Sequence, residues 1–203
     1  FASAFNLLIG FTGLLSFGHA MFFGFAAYVS GHAAKVWGLT PEVAILLGTL
    51  SAAAIGGVTG WLAVRRQGIY FAMVTLALAQ MIYFICVQAP FTYAEDGIQS
   101  IPRGSLLGAI DLSNDRTMYY VVFGVFMFGL LAIYRIIHSP FGQVLKSIRE
   151  NEARALSLGY DVDRYKHLAF VLSAALAGLA GATKSLAFGL ATLTDVSWQM
   201  SGE

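Results

Sequence analysis

The chain has 203 residues, of which 58% are hydrophobic and 11% charged, with a formal net charge of +1 and a mean hydropathy of +0.71. Soluble domains carry about 25% charged residues, so 23 charged groups cannot clothe a water-facing surface over this much Phe, Leu, Ala and Val. A soluble enzyme, a disordered chain and, with Cys86 the one cysteine, a disulfide scaffold are excluded, leaving a multi-span membrane protein. The near-zero net charge and the lack of any basic tract give no footing for nucleic acid. The chain opens at Phe1 inside an apolar run and stops at Glu203 without a closing element, which suggests a single transmembrane domain, 1–203, cut from a longer permease-like protein. The start has no basic n-region or small-residue cleavage site of a signal peptide.

About 20 apolar residues are needed to cross a hydrocarbon core of about 30 Å. No Lys, Arg, Asp or Glu occurs between Phe1 and Ala34, too long a stretch for one crossing. A break at Ser16-Phe17-Gly18-His19 predicts spans near Ala4–Phe17 and Ala20–Val36, with a re-entrant segment as the competing reading. Further spans are predicted at Pro41–Val64, Ile69–Val87, Met118–Ile137 and Leu168 to about Leu190. The fold class is therefore all-α: a polytopic transmembrane bundle of about six crossings, helical because helices satisfy their own backbone in lipid.

Basic residues set the orientation. Arg65, Arg66, Lys146, Arg149, Arg154, Arg164 and Lys166 fall on one face, against Lys35, Arg103 and Arg116 on the other, where Glu95, Asp96, Asp111 and Asp115 also lie. Seven basic residues against three put the Arg65 face, with the loop 138–167, in the cytoplasm. The outer turn Ala94-Glu95-Asp96-Gly97 suits a solvated loop or a contact with a binding protein. Ala52, Gly56 and Gly60, and again Ala174, Gly178 and Ala182, recur at four-residue spacing, which lets helix backbones approach closely; packing is the plainer reading and a lining for a solute path the other.

The stretch from Ser139 to Gly159 is too charged to span. Leu145, Ile148, Ala155 and Leu156 share one helical face, interrupted by Glu152, and Lys146, Glu150 and Arg154 form an i, i+4 ladder. Gly159 marks a stop, and Asp161 or Asp163 can cap the next helix. A short amphipathic helix on the cytoplasmic side follows, either resting on headgroups or docking a soluble partner.

That run, Ser139-Pro-Phe-Gly-Gln-Val-Leu-Lys-Ser-Ile-Arg-Glu-Asn-Glu-Ala-Arg-Ala-Leu-Ser-Leu-Gly-Tyr160, with Arg164-Tyr-Lys166 and Ala174-Ala-Leu-Ala-Gly-Leu-Ala-Gly181, resembles the permeases of branched-chain amino acid ABC transporters. So do Asn6-Leu-Leu-Ile-Gly-Phe-Thr-Gly-Leu-Leu-Ser-Phe-Gly-His19, Phe22-Phe-Gly24, Ala27-Tyr28 and Gly68-Ile-Tyr-Phe-Ala-Met-Val-Thr-Leu-Ala77, so that the likeness covers nearly the whole chain. The resemblance implies that the loop is a coupling helix seated in an ATPase subunit, with Leu145, Ile148, Glu150, Glu152, Ala153 and Gly159 as its coupling residues. Glu152-Ala153-Arg154 stands where other importers have Glu-Ala-Ala, and Gly159 lies one residue late. It further implies a second permease subunit, two ATP-binding subunits, an extracytoplasmic solute-binding protein and the lipid bilayer of a bacterial inner membrane as partners, with branched-chain or related neutral amino acids as solute. A permease for urea or short amides has similar motifs, and an ion-driven secondary transporter is the rival of a different class.

The chain has no motif of an enzyme. Gly178-Leu-Ala-Gly181-Ala-Thr-Lys184-Ser185 ends in Lys-Ser, but Thr183 stands where a phosphate-binding loop needs glycine. Neither Gly-x-Ser-x-Gly nor His-Glu-x-x-His occurs, and His19, His32, His138 and His167 lack metal-ligand spacing; no cofactor is expected. Lys184 is the one clearly intramembrane charge, about 24 Å along the helix from Leu168 at about 1.5 Å per residue. It either snorkels or makes a structural bond to a carbonyl, or it marks a polar point on the solute path. His19, at the predicted helix break, is a bonded helix-end residue or a second path residue.

Overall fold

The computed structural model describes residues 1–66, 68–89, 92, 97–106, 110–112 and 114–201. Glu95 and Asp96, and with them most of the expected outer turn, lie outside the described residues. The backbone forms eight helices among these: α1 (Ala2–Thr12), α2 (His19–Lys35), α3 (Pro41–Ala63), α4 (Ile69–Gln88), α5 (Asp115–Ile137), α6 (Pro140–Glu150), α7 (Glu152–Ser157) and α8 (Val162–Phe188). Four two-residue strands complete it: β1 (Ile98–Gln99), β2 (Ser105–Leu106), β3 (Ile110–Asp111) and β4 (Leu190–Ala191). β1 pairs antiparallel with β4, and β2 with β3. The all-α polytopic fold stands.

Among the described residues four helices, α3, α4, α5 and α8, are long and apolar enough to cross a membrane, where about six crossings were expected. The difference lies at the start of the chain. The predicted span Ala4–Phe17 ends early, because Gly13 adopts the left-handed conformation (φ 72°) and caps α1 after 11 residues, about 16 Å at 1.5 Å per residue. α2 has 17 residues, about 25 Å long. Between them residues 13–18 are not helical. Irregular backbone at membrane depth is tolerated where protein covers it, and Leu14, Ser16 and Gly18 are buried. The Ser16 hydroxyl accepts the Gly18 N–H at 3.3 Å. At the other end of the chain α8 begins six residues before the predicted Leu168, because Asp161 caps it by accepting the Arg164 N–H.

The core is three helices, α2, α3 and α8, packed along their small residues. Thirteen of the 17 residues of α2 are buried. A methyl group added at Gly56 would lie 2.5 Å from the Ala174 Cβ, one at Gly178 would overlap the Ala52 Cβ, and one at Gly181 would overlap the Phe23 carbonyl. The two small-residue stripes therefore face each other as backbone-contact surfaces. α1 packs on α8, α4 on α2 and α3, and α5 lies outermost with Met118 its one buried residue.

Charged residues gather at the two ends of the bundle. One end gathers Lys35, which donates to the Gln99 carbonyl at 2.7 Å, and Arg103, which meets Asp115 at 2.7 Å and the Ala187 carbonyl at 3.0 Å. The other holds Arg65, stacked on Trp61 at 4.9 Å, across a cleft from Asp161, Asp163, Arg164 and His167.

The packing makes a direct prediction. Gly178→Ala should cost about 1–3 kcal/mol, because the added methyl over-packs a backbone contact. Gly57→Ala, where a Cβ meets nothing within 4 Å, should be neutral or slightly stabilising. Denaturation midpoints of the detergent-solubilised protein test both, and equal midpoints for the two variants would mean that α3 and α8 are not in this register.

Candidate coupling segment and intramembrane charge pair

The segment between α5 and α8 is built from caps. Ser139 caps α6 by accepting the Gly142 N–H at 3.3 Å, and Pro140 occupies the first turn, where a missing N–H costs nothing. Gly142 packs directly on the carbonyls of Ile136 and Ile137, which makes the α5–α6 corner tight. The predicted single amphipathic helix is in fact two. Asn151 takes an extended conformation (φ −156°, ψ 98°) and its side chain accepts the Arg154 N–H at 3.0 Å, ending α6 and capping α7 at once. Asn competes well with helical backbone through such local bonds. α7 closes at Gly159 (φ 87°), where the N–H groups of Gly159 and Tyr160 return to the carbonyls of Leu156 and Ala155. This is the glycine-terminated stop that the sequence leads one to expect.

The break rearranges the predicted faces. Leu145, Ile148 and Ala155 are buried, Ile148 and Ala155 in a small apolar cluster with Val162 that Val144 and Tyr165 flank. Leu156, expected beside them, is instead 57% exposed, and Leu158 is 68% exposed. The i, i+4 ladder is cut, since Lys146 and Glu150 belong to α6 and Arg154 to α7. Of the predicted coupling residues, Glu150, Ala153 and Gly159 face outward, whereas Leu145 and Ile148 face the chain's own interior.

Two charged side chains fasten the segment to the bundle. Arg149 donates to the Gly10 carbonyl, one of the last carbonyls of α1, and its stem lies on Gly13. A cation at a helix C-terminus complements both the unpaired carbonyls and the helix dipole. Lys146 lies 5.7 Å from the centre of the Phe11 ring. At the base of α8, Lys166 meets Glu152 at 2.8 Å, with their side chains 4% and 29% exposed. Glu152 is thus engaged inside this chain, which its place in the sequence motif does not reveal.

His19 and Lys184 occupy separate surroundings. His19 opens α2 and is fully buried, its Nε2 2.8 Å from the Ser173 Oγ and its ring met edge-on by Phe5, Phe22 and Phe170. Ser173 in turn donates to the Ala4 carbonyl, so one hydroxyl ties α1, α2 and α8 together. Among the described residues the His19 Nδ1 has no hydrogen-bond partner. Lys184 lies 11 residues further along α8 than Ser173, about 16 Å, and forms an ion pair with Asp195. The Asp195 carboxylate also accepts from the Thr192 N–H at 3.3 Å and the Thr192 hydroxyl at 3.1 Å. The partner of Lys184 is therefore a carboxylate, where a carbonyl was expected.

Asp195 belongs to a segment that the sequence reading passes over. After β4, two 3₁₀ turns, Leu193–Asp195 and Trp198–Ser201, run back along α2. Val196 packs where Gly24 has no side chain. The Ser201 hydroxyl accepts the Ala20 N–H at 2.8 Å, satisfying one of the four amides that the start of α2 leaves unpaired. A carboxylate 11 residues after the lone intramembrane lysine was the available signal. Lys184, Thr183 and Ser3 also border a cavity of about 260 Å³ between α1, α5 and α8, walled for the rest mostly by apolar side chains such as Val122, Phe126, Leu130 and Leu176. Among the described residues no group of three His, Cys, Asp or Glu side chains could hold a metal ion.

Comparison with known proteins places these features in context. Residues 1–202 match the family described as the branched-chain amino acid transport system / permease component. The high-affinity branched-chain amino acid transport system permease protein LivM of Escherichia coli (strain K12) is 29% identical to this chain, across 87% of this chain and 47% of LivM. LivM of Salmonella typhimurium (strain LT2) has the same identity and coverage. The chain thus spans about half the length of these relatives. No solved structure matches it significantly.

The charge pair predicts its own mutational signature. Asp195→Asn leaves the Lys184 ammonium without its countercharge in a largely buried setting and should cost about 3 kcal/mol, the low end for breaking a buried pair because Lys184 is partly exposed. Lys184→Met with Asp195→Leu removes both charges and should recover most of that loss. Unfolding midpoints in detergent decide it: a double variant no more stable than Asp195→Asn alone would show that the pair does not hold the 192–201 segment.

Proposed function

The chain belongs to the branched-chain amino acid transport permease family and is a multi-pass membrane protein, and from this we propose that it is the membrane-spanning subunit of an ATP-driven importer. Its solutes are branched-chain or related neutral amino acids delivered by an extracytoplasmic binding protein. It works in the inner membrane beside a second permease subunit and two ATP-binding subunits, which carry out the hydrolysis. Arg65, Arg66 and the 138–167 segment face the cytoplasm in this reading, and Lys35 and Arg103 face outward. The family match supports the amino acid solute over urea or short amides.

The observation that carries the proposal is the α6–α7 segment. Its apolar face is spent on its own bundle, yet α7 and the turn after it leave Leu156 and Leu158 exposed, as are the charged Glu150 and Arg154. A helix held by headgroups would turn its large apolar side chains toward lipid and its cations outward. Here two leucines are left exposed on a segment that carries both signs of charge, which suits a protein groove. ATP-driven closure of the partner subunits then favours one bundle state over the other through contacts that differ between the two states. His19 and Lys184 lie at separate points of the bundle, and we place Lys184 nearer the solute path because it borders the cavity between α1, α5 and α8.

The docking reading predicts that Leu156→Asp with Leu158→Asp, in the full-length permease, abolishes co-purification of the ATP-binding subunit and uptake of leucine, while membrane insertion is unchanged. Glu150→Lys alone should weaken both less, by the up to about 1 kcal/mol typical of an exposed pair. Normal co-purification and uptake in the double leucine variant would return the segment to the headgroup reading.

A further inference from the structure

We propose that Lys166 is the joint through which the coupling segment moves α8, with Glu152 as its counterpart on α7; this rests on the docking reading above. Lys166 is the fifth residue of α8 and is nearly wholly buried, its ammonium 2.8 Å from the Glu152 carboxylate. Lysine is almost never buried unless paired. Its place is unfavourable a second time, because a cation near a helix N-terminus opposes the helix dipole. Both penalties are offset by Glu152 and return if α7 moves away from α8. The pair therefore resists separation, and displacement of α7 carries α8 with it.

The other ion pair in this region cannot do this. Arg164 pairs with Asp161 at 2.7 Å, both side chains exposed and both at the start of the same helix, so it passes no force between elements. The Glu152–Lys166 pair joins two elements, and α8 packs against α1, α2 and α3. Glu152 is 29% exposed, close to the outward-facing Ala153 and Arg154 of the same turn. A partner seated on α7 thus presses next to the carboxylate that grips α8. Lys166 is a positioning residue: it touches no solute and acts through Glu152.

The test uses the full-length permease assembled with its ATP-binding subunits and binding protein in proteoliposomes, and reads leucine transported per ATP hydrolysed. Lys166→Met and Glu152→Gln should still co-purify with the ATP-binding subunits and still hydrolyse ATP, while the transport ratio falls by about tenfold, as expected for losing a desolvated charge contact. The swapped variant, Glu152→Lys with Lys166→Glu, rebuilds the pair and should restore the ratio to within about twofold. Because the swap retains both charges, it remains informative if Lys166→Met fails to fold. A merely structural pair would lower the yield of assembled transporter but leave the ratio unchanged in what remains, and that result would overturn the proposal. So would a swapped variant that assembles but stays uncoupled. Loss of co-purification in the Leu156→Asp, Leu158→Asp variant is read separately and bears on docking alone.

Discussion

Close approach of backbones is the constraint on which the rest of this structure depends. Lipid tails are as apolar as leucine, so no hydrophobic drive brings helices together, and association rests on contact and hydrogen bonding. α2, α3 and α8 meet where side chains are reduced to hydrogen or methyl: Gly56 against Ala174, Gly178 against Ala52, Gly181 against the Phe23 carbonyl, and Gly48 against the Ala26 carbonyl, which would lie 2.8 Å from an added Cβ. Bringing the backbones this near gives dispersion contact along the small-residue stripes. It also leaves their outer faces free to carry large residues such as Leu46, Leu50, Val58 and Trp61 toward lipid.

A core this tight sets the terms for the irregular backbone beside it. Residues 13–18 and 192–201 are not α-helical, and unsatisfied peptide groups are costly away from water. Polar side chains supply what is missing: Ser16 for Gly18, Ser201 for Ala20, Thr192 and Asp195 for each other. Ser30 and Ser185 bond across α2 and α8 at 2.7 Å. Small hydroxyls fit because they need little more room than alanine. The same economy explains why Lys184 has its countercharge on the returning segment: Asp195 reaches it from outside the three-helix contact, where a carboxylate on α2 or α3 would force the helices apart.

The parts of the fold that were legible in the sequence are those set by composition and local chemistry. The spans at Pro41, Ile69 and Met118 were placed to within a few residues, because each is a long apolar run bounded by Arg, Gly, Pro or Asp. Gly159 and Asp161 were legible as a stop and a cap. What escaped was tertiary. Leu156 and Ala155 look equivalent on a helical wheel until Asn151 resets the phase, and Glu152 looks like a docking residue until Lys166 is seen beneath it. Asp195 carried no local pattern, since its meaning depends on a chain reversal at Gly189 and β4. The N-terminal break was visible in outline, yet hydropathy alone could not tell a crossing from an 11-residue helix ended by Gly13.

The anchors of the coupling segment acquire their meaning from this core. Arg149 holds the end of α1 and Glu152 holds the base of α8, and these two helices are themselves joined where Ser173 donates to the Ala4 carbonyl and meets His19. The path from α6–α7 into the bundle therefore divides and reconverges on one buried hydroxyl at the start of α2. Packed interfaces of this kind move between discrete arrangements rather than deform smoothly. A push delivered to α1 and α8 together keeps the hydrogen bond from Ser173 to the Ala4 carbonyl, whereas a push on either alone must break it first. On the proposed coupling, two anchors instead of one favour displacement of α1 together with α8, the two helices that border the cavity with α5.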